Sequence, residues 1–334
     1  MKVFITGIAG FLGSHLADAF LAKGFDVVGI DNLIGGYRDN IPEGVTFIHG
    51  DLSDLDALVA AMKGADLVYH TACTAYEGLS VFSPSLIAQN TFQISVNAMT
   101  AAIINKVNRF VHCSSMARYG AQPIHPFTED MVCKPQDPYG IAKYGAELML
   151  TNMAEVHDVD LVIAVPHNIV GPRQKYDDPF RNVASIMINL MLQGRQPIIY
   201  GDGMQVRCFS DIEDDVDCLV EFALNDRAVG RTFNIGPDED PVTINELAAH
   251  IARLLQFDLK PTYMPGRPQE VKNATCSANK IREHFGYETK VTLDQSLQTM
   301  IDYISMRGVR KFEYHLPIEI KSDKTPRTWT DRLF

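Results

Sequence analysis

The sequence predicts an α/β protein with a doubly wound parallel sheet and a smaller C-terminal α/β domain. Three observations support this fold class. Short apolar runs rich in β-branched residues, such as Val3-Phe4-Ile5, alternate with helical patterns along the first half of the chain. Gly7, Gly10 and Gly13 follow the first run and precede a helical pattern. The 334 residues, 46% of them hydrophobic, suffice for one large domain or two interleaved ones.

The glycine motif predicts a dinucleotide-binding turn of the Rossmann type. The first glycine forms the turn, the middle one lets the backbone approach the pyrophosphate, and the third lets the helix pack on the strand. The amino end of the helix then faces the phosphates. A plain glycine turn is the alternative, but the predicted strand and helix on either side of Gly7–Gly13 favour the nucleotide site.

A carboxylate follows the second predicted strand, Asp26–Ile30. Asp31, with Asn32 after it, stands where a carboxylate accepts hydrogen bonds from the hydroxyls of the adenosine ribose. The same charge repels the 2′-phosphate of NADP, so we predict NAD rather than NADP. A surface aspartate is the alternative, and it does not explain the position at the end of a strand.

Three further predicted strands, residues 46–52, 67–70 and 109–113, bring small or polar residues to the same edge of the sheet. The residues expected to meet the cofactor at this edge are Asp51, Leu52, Thr71, Ala72 and Ser114. A helix predicted over residues 84–106 carries Asn90.

A second helix is predicted to begin at Pro138, because Asp137 suits the N-cap position and proline suits the first turn. Tyr139 and Lys143 are four residues apart and share one face of this helix. The ammonium and the positive end of the helix favour the phenolate, so we predict a lowered tyrosine pKa and a general base for an alcohol. Most isolated pairs with this spacing are solvated helix surface, and the glycine motif favours the catalytic interpretation here.

Composition argues against several other classes of function. The net charge of −11 and the pI of about 5.3 disfavour a nucleic-acid or acidic-membrane binder. The six cysteines are scattered without metal-ligand spacing, and we expect free thiols in a reducing cytoplasm. We expect no metal, no membrane segment and no signal peptide. The acidic run Asp211–Asp217 is interpreted as the charged first turn of a helix rather than a metal site.

Further motifs lie in the second half of the chain. They are Asn168-x-x-Gly171-Pro172-Arg173-Gln174 and Gly201-Asp202-Gly203-x-Gln205-x-Arg207-x-Phe209. With the glycine motif, Ser115 and the Tyr139–Lys143 pair, they make residues 1–305 resemble the extended short-chain dehydrogenase/reductases. Within them, the chain is most similar to the NAD-dependent nucleotide-sugar epimerase/dehydratases of the UDP-glucose 4-epimerase type. The resemblance implies NAD as the cofactor and a nucleotide sugar, with a UDP-sugar favoured, as the substrate.

The resemblance also implies a role for each matching residue. Tyr139 takes the proton of the sugar hydroxyl as hydride leaves carbon 4 for NAD⁺, Ser115 hydrogen-bonds the same oxygen, and Lys143 binds the nicotinamide ribose. The residues implied in NAD binding are Gly7, Gly10, Phe11, Leu12, Gly13, Asp31, Asn32, Asp51, Leu52, Thr71, Ala72, Asn90, Ser114, Tyr139 and Lys143. Those implied in substrate binding are Ser115, Met116, Asn168, Arg207, Arg267 and Ala274. The small Ala274 is expected to leave room for an N-acetyl group on the sugar.

The residues after Ser115 distinguish the reactions of this group. Similar dehydratases and decarboxylases carry a glutamate two residues after the triad hydroxyl, whereas this chain has Met116 and Ala117, which exchange no protons. The expected activity is therefore 4-epimerisation of a UDP-hexose or UDP-N-acetylhexosamine through a transient 4-keto sugar. Two alternatives stay open. One is a dehydrogenase or 4-keto reductase of the same fold, and the other is a non-catalytic NAD-binding regulator, against which the intact triad speaks.

A division of the chain into domains follows from the same resemblance. An NAD-binding domain is expected over residues 1–168, with 209–236 returning to it, and a nucleotide-sugar-binding domain over 169–208 and 237–305. Residues 306–334 form a C-terminal extension without a motif.

The resemblance implies a homodimer as well. The expected contact uses the helices near residues 84–106 and 138–157. The apolar residues expected at the seam are Ile94, Met99, Ile103, Leu148 and Met149, and packing of these residues on the sheet is the equal alternative.

Overall fold

The computed structural model describes residues 1–334 and is organised around one seven-stranded sheet. In chain order the strands of the protein are β1 Lys2–Thr6, β2 Asp26–Asp31, β3 Thr46–His49, β4 Leu67–His70, β5 Arg109–Cys113, β6 Asp160–Pro166, β7 Ile169–Val170, β8 Ile198–Tyr200, β9 Val206–Arg207, β10 Ser210–Asp211, β11 Thr232–Ile235, β12 Val242–Thr243, β13 Thr262–Met264 and β14 Asn273–Ala274. The α-helices are α1 Phe11–Ala22, α2 Leu55–Ala61, α3 Glu77–Ser80, α4 Pro84–Ile87, α5 Ile94–Ile104, α6 Pro138–His157, α7 Val183–Leu192, α8 Ile212–Leu224, α9 Ile244–Leu255, α10 Asn279–Phe285, α11 Leu293–Arg307 and α12 Arg327–Thr330. A π-helix spans Ala88–Gln93, and 3₁₀ turns span Arg38–Asn40, Met116–Tyr119 and Asp226–Ala228.

The large sheet has the strand order β11-β6-β5-β4-β1-β2-β3, and every neighbouring pair is parallel. The chain adds β2 and β3 on one side of β1 and then β4, β5 and β6 on the other, so the direction of winding reverses at β1. Open α/β sheets bind their ligands beyond the carboxyl ends of the strands at such a reversal. The predicted doubly wound parallel sheet is confirmed, with the glycine turn at this position.

Two apolar clusters cover the two faces of the sheet. Along β1, Val3 and Ile5 belong to the cluster formed with α1 and α8, whereas Phe4 between them belongs to the cluster formed with α2 and α5. This alternation follows from the two-residue period of a strand. A third cluster lies between α7, α9 and α11 and is the core of the smaller part of the protein. None of the helices is both long and apolar enough to span a lipid bilayer.

The second half of the chain contributes to both parts of the protein. Short strands build small sheets, in which β9 pairs antiparallel with β12 and parallel with β14. The strand β11 then joins the edge of the large sheet, where Phe233 pairs with Ala164 of β6. The boundaries between the expected NAD-binding and nucleotide-sugar-binding domains stay a prediction.

The helix predicted over residues 84–106 is interrupted in the structure. It consists of α4, the π-helix Ala88–Gln93 and α5, and Asn90 within the π-helix has non-helical φ and ψ of −89° and 16°. The carbonyl of Asn90 accepts a hydrogen bond of 2.9 Å from the amide of Thr74 instead of continuing the helix. The π-helix, whose turn is wider than that of an α-helix, is therefore hydrogen-bonded to the segment after β4. Hydrophobic periodicity in the sequence does not reveal this interruption.

The expected dimer seam is only partly exposed. Ile94 and Met99 belong to the core cluster beneath the sheet and are 6% and 0% exposed, so for these two residues the alternative of packing on the sheet holds and a place at the seam does not. Their positions on α5 face α2 and the sheet, where burial of their side chains stabilises the core. Leu148 and Met149 of α6 are exposed, at 58% and 42%.

The acidic run is explained by the start of α8. Asp211 caps the helix by accepting a hydrogen bond of 2.9 Å from the amide of Glu213, and Asp215 accepts one from the hydroxyl of Ser210. Asp214 accepts a bond of 3.0 Å from the amide of Lys290. These contacts place the carboxylates at the positive end of the helix, as the sequence predicts.

Candidate active site

A cavity of about 470 Å³ lies at the carboxyl edge of the large sheet. Most of the predicted site residues line it, and they come from both halves of the chain. The predicted residues on its wall are Gly7, Gly10, Phe11, Leu12, Gly13, Asp31, Asn32, Asp51, Leu52, Thr71, Ala72, Asn90, Ser114, Ser115, Tyr139, Lys143, Asn168, Arg207 and Arg267. The structure thus brings together residues that are up to 260 positions apart in the chain, as Gly7 and Arg267 are.

The glycine turn leaves no room for side chains. Gly7 has a φ of +72°, and a Cβ placed on it would lie 2.9 Å from backbone atoms of Ala72. A Cβ on Gly13 would lie 2.3 Å from the carbonyl oxygen of Gly7. The helix α1 begins directly after Gly10, and no side chain caps its first turn. The pyrophosphate of a dinucleotide such as NAD fits this cradle of backbone amides.

The carboxylate of Asp31 is held at the end of β2 by two backbone amides. It accepts hydrogen bonds of 3.0 Å from Ala9 and 2.6 Å from Leu33. Burial raises the pKa of Asp31, and the two amides partly offset that effect. Asn32 donates a bond of 2.8 Å to Asp51, so two carboxylates lie beyond neighbouring strands on this side of the cavity.

Tyr139 lies in the first turn of α6, where Asp137 caps the helix through a hydrogen bond of 3.0 Å from the amide of Gly140. Tyr139 is 7% exposed, and it lines the cavity together with Ser115. Burial raises the pKa of Tyr139 well above its ordinary value, whereas Ser115 lowers it by a smaller amount. The predicted lowering of the pKa is therefore wrong for the protein alone. Burial is the largest cause of the raised pKa of Tyr139, and the neighbouring Cys73 adds to it.

Sequence reasoning missed a buried ion pair one turn beyond Lys143 on α6. Glu147, 3% exposed in its side chain, lies 3.1 Å from the guanidinium of Arg118, which is 8% exposed. The hydroxyl of Ser114 also donates to Glu147. These contacts join α6 to the 3₁₀ turn Met116–Tyr119 and to the end of β5. They therefore fix α6, which carries Tyr139 and Lys143, against the segment that carries Ser115.

Two arginines form a cationic region in the same cavity. Arg267 lies 2.8 Å from Glu270 and its guanidinium lies 4.9 Å from the centre of the Tyr200 ring. Arg207 donates bonds of 2.8 Å to the carbonyls of Val206 and Val271. Burial lowers the pKa of Arg207, an effect that its anionic neighbours partly offset. Paired guanidinium groups in a desolvated cleft are suited to binding a diphosphate.

A sequence model of the NAD dependent epimerase/dehydratase family matches residues 3–236. The chain belongs to this family. The expected family is thereby confirmed, and so is the expectation of NAD at the level of the family.

Individual epimerase/dehydratases are similar over nearly the whole chain. The UDP-glucose 4-epimerase of Mycolicibacterium smegmatis is 31% identical over 313 residues, which cover 91% of this chain and 98% of that protein. The crystal structure of UDP-glucose 4-epimerase with UDP-glucose from Thermotoga maritima has a TM-score of 0.86 at 28% identity, and the match covers 92% of this chain and 99% of that one. The UDP-N-acetylglucosamine 4-epimerase of Methanobrevibacter ruminantium in complex with UDP-N-acetylmuramic acid has a TM-score of 0.84 at 29% identity, with the same coverage.

This epimerase/dehydratase also has a cavity carboxylate that the sequence did not indicate. Glu77, the first residue of the short helix α3, lines the cavity and is accessible to solvent there. Burial, and then the neighbouring Asp137, raise the pKa of Glu77 to about 7, while Arg207 and Arg267 oppose the shift. The segment after β4 has no regular spacing, and thus no sequence pattern placed Glu77 in the site.

Two predicted substrate residues of this epimerase/dehydratase do not reach the cavity wall. Ala274 lies in β14, where it pairs with Arg207, and its side chain is buried in the apolar cluster that contains Cys276. Met116 packs against the same cluster, and its sulfur lies 3.6 Å from the amide nitrogen of Asn168. The expectation that Ala274 leaves room for an N-acetyl group does not fit this position, because its side chain faces the apolar core and not the cavity.

Proposed function

We propose that this protein is an NAD-dependent UDP-sugar 4-epimerase, which inverts carbon 4 of the hexose through a transient 4-keto sugar. One observation carries the proposal: Ser115 and Tyr139 share a cavity with Arg207 and Arg267. Ser115 and Tyr139 are suited to a reacting hydroxyl, and the two arginines are suited to a diphosphate. A nucleoside diphosphate sugar contains both groups. The named activities of the M. smegmatis and T. maritima relatives support this interpretation.

Tyr139 is the proposed acid–base residue. It takes the proton of the hydroxyl on carbon 4 and later returns a proton to the same oxygen, while the hydroxyl of Ser115 holds that oxygen in place. NAD⁺, when bound, would supply the hydride acceptor and donor for carbon 4, so that this carbon could be oxidised and then reduced from the opposite face. Ser115 and the guanidinium of Arg181 favour the ionised phenol against the opposing effect of burial. Arg181 was not predicted from the sequence, and it also lines the cavity.

The cofactor is proposed to lie along the carboxyl edge of the sheet. The amides of the glycine turn would bind its pyrophosphate, and Asp31 would bind the adenosine ribose. Lys143 would bind the nicotinamide ribose, since it lies on the cavity wall one turn after Tyr139. Elimination of water or carbon dioxide is not proposed, because Met116 and Ala117 follow Ser115 and provide no acid.

A cytoplasmic homodimer is proposed for the assembled enzyme. All six cysteines are free, as expected in a reducing compartment. The helix α6 carries an exposed apolar row at helical spacing that a second copy of the chain would cover. Its members are Ile141, Leu148, Met149 and Val156.

A panel of nucleotide sugars tests the proposed activity. The purified protein is incubated with NAD and with UDP-glucose, UDP-N-acetylglucosamine or UDP-glucuronic acid, and with GDP-, CDP- and dTDP-sugars as comparison. The anomeric proton is followed by NMR. The proposal predicts an equilibrium mixture of two C4 epimers from a UDP-sugar, without accumulation of NADH. Stoichiometric NADH would instead identify a dehydrogenase, and absence of turnover with every sugar would contradict the proposal.

A further inference from the structure

The residues after α11 form a strap that crosses the outer side of the cavity. It leaves the helix at Gly308 and ends in α12 and Phe334. The relatives named above cover 91–92% of this chain and 98–99% of their own length, so about a tenth of this chain has no counterpart in them. We call residues 308–334 the C-terminal strap.

One half of the strap is hydrogen-bonded to residues 82–86, at the end of the segment after β4 and in α4. The carboxylate of Glu319 accepts hydrogen bonds of 2.9 Å and 2.8 Å from the amides of Ser85 and Leu86. The hydroxyl of Ser83 donates a bond of 2.7 Å to the carbonyl of Pro317, and the amide of Ile320 donates one of 2.8 Å to Phe82. These four bonds hold the strap against the segment that carries Glu77.

The other half is anchored by Trp329, which is 3% exposed. Its indole nitrogen donates a hydrogen bond of 3.1 Å to the carbonyl of Pro179. The ring packs edge-on against Phe180 and Phe82, with centroids 5.4 Å and 6.0 Å apart. Thr328, next to Trp329, is hydrogen-bonded to the hydroxyl of Tyr200. Such aromatic packing makes Trp329 the main apolar contact between the strap and the cavity wall.

The position of Trp329 relates the strap to the substrate side of the cavity. Trp329 lines the cavity and belongs to the same apolar cluster as Tyr139. A carbon atom added to Gly78 would lie 3.0 Å from the guanidinium of Arg267 and 3.6 Å from the Trp329 indole. The indole is thus adjacent to the arginine proposed to bind the diphosphate, and near the tyrosine proposed to act on the sugar.

We propose that the C-terminal strap is a wall of the nucleotide-sugar subsite and that Trp329 is a specificity-determining residue in it. The inference rests on the proposed function, because it assigns the ligand of this wall as the sugar diphosphate of a UDP-sugar. Trp329 is held by Pro179, Phe180 and Phe82, and it therefore fixes the shape of the wall that bounds the sugar diphosphate. The hydrogen bonds of the strap reach residues 82–86, 176, 177, 179, 189, 193, 195 and 200, and none reaches the glycine turn. The strap therefore acts on substrate binding and not on NAD binding.

Trp329 is the sole tryptophan of the chain, so its emission reports on this wall directly. UDP-glucose, UDP-N-acetylglucosamine and UDP are titrated into the NAD-saturated parent protein. The proposal predicts a saturable change of the emission whose dissociation constant equals the one measured by calorimetry. Binding in the calorimeter without any change in emission would overturn the strap assignment and leave the proposed epimerase intact. If no UDP-sugar binds, the proposed function fails and the strap assignment fails with it.

Variants provide the second measurement. Trp329→Ala is expected to raise KM for the UDP-sugar about tenfold, corresponding to ~1.4 kcal/mol, while Kd for NAD changes less than about twofold. Trp329→Phe keeps an aromatic ring, so its KM for the UDP-sugar is expected to lie between those of the parent and of Trp329→Ala. Lys324→Ala, an exposed change in the same strap, is the control and leaves both constants unchanged. An unchanged KM in folded Trp329→Phe and Trp329→Ala, or an equal weakening of NAD binding, would contradict the proposal.

Discussion

The ammonium of Lys143 donates a hydrogen bond of 2.8 Å to the carbonyl oxygen of Cys113, the last residue of β5. This bond joins α6 to the sheet directly before Ser114 and Ser115. Lys143 is 1% exposed, and Tyr139 precedes it by one helical turn. The end of β5 therefore sets the relative positions of the three residues proposed to perform the chemistry.

The buried pair of Glu147 and Arg118 is expected to stabilise this arrangement. Glu147→Gln removes the negative charge and leaves the guanidinium of Arg118 buried without its partner. Breaking such a pair costs roughly 3–5 kcal/mol, so the midpoint of urea unfolding should fall markedly. Glu155→Gln, an exposed change on the same helix, is the control and should leave the midpoint unchanged. Equal midpoints for both variants would show that the pair contributes nothing.

Asp31 is expected to select the cofactor. The protein should bind NAD at least about tenfold more tightly than NADP, because a carboxylate at this position repels the 2′-phosphate. Asp31→Asn keeps the shape of the side chain but removes the charge. It should reduce the preference for NAD over NADP. Calorimetric titrations of both cofactors measure it. If the parent protein binds NADP as tightly as NAD, the predicted role of Asp31 is wrong.

Glu77 is expected to make substrate binding depend on pH. Its pKa of about 7 means that it is neutral below that pH and anionic above it. The ionised carboxylate lies near Arg207 and Arg267 and repels the substrate diphosphate, so KM should rise as the pH rises through about 7. The charge is also disfavoured in the fold, and stability should fall between the ordinary glutamate pKa and about 7.

Glu77→Gln tests this explanation, because glutamine keeps the size of the side chain and does not titrate. Its KM should stay flat across the same range, whereas kcat should retain the profile of the parent. If KM of Glu77→Gln still rises through about pH 7 as in the parent protein, the pH dependence belongs to another group.

The exposed row on α6 is expected to hold a dimer together. Leu148→Glu places a charge in that row and should shift the protein from dimer to monomer in light scattering at micromolar concentration. Lys63→Glu, an exposed change remote from α6, is the control. A parent protein that is already monomeric would contradict the proposed assembly.

The sequence predicted the fold and much of the cavity because local rules decide them. Apolar runs predicted the parallel strands, and the capping pattern at Asp137 predicted the start of α6. Long-range packing decided the features that were missed. The interruption at Asn90 depends on Thr74, the location of Glu77 depends on a loop, and the side chain of Ala274 points into the core. The raised pKa of Tyr139 likewise results from burial by distant elements.

The change Tyr139→Phe tests the central claim most directly, because it removes only the hydroxyl that transfers the proton. NMR of the anomeric proton measures the rate of epimerisation of the UDP-sugar that the parent turns over, with NAD binding measured alongside. Tyr144→Phe on the same helix, outside the cavity wall, is the control. We predict a fall in kcat of at least about 100-fold for Tyr139→Phe with NAD still bound, and a near-parental rate for Tyr144→Phe. A near-parental rate for Tyr139→Phe would contradict the assignment of this tyrosine as the acid–base residue.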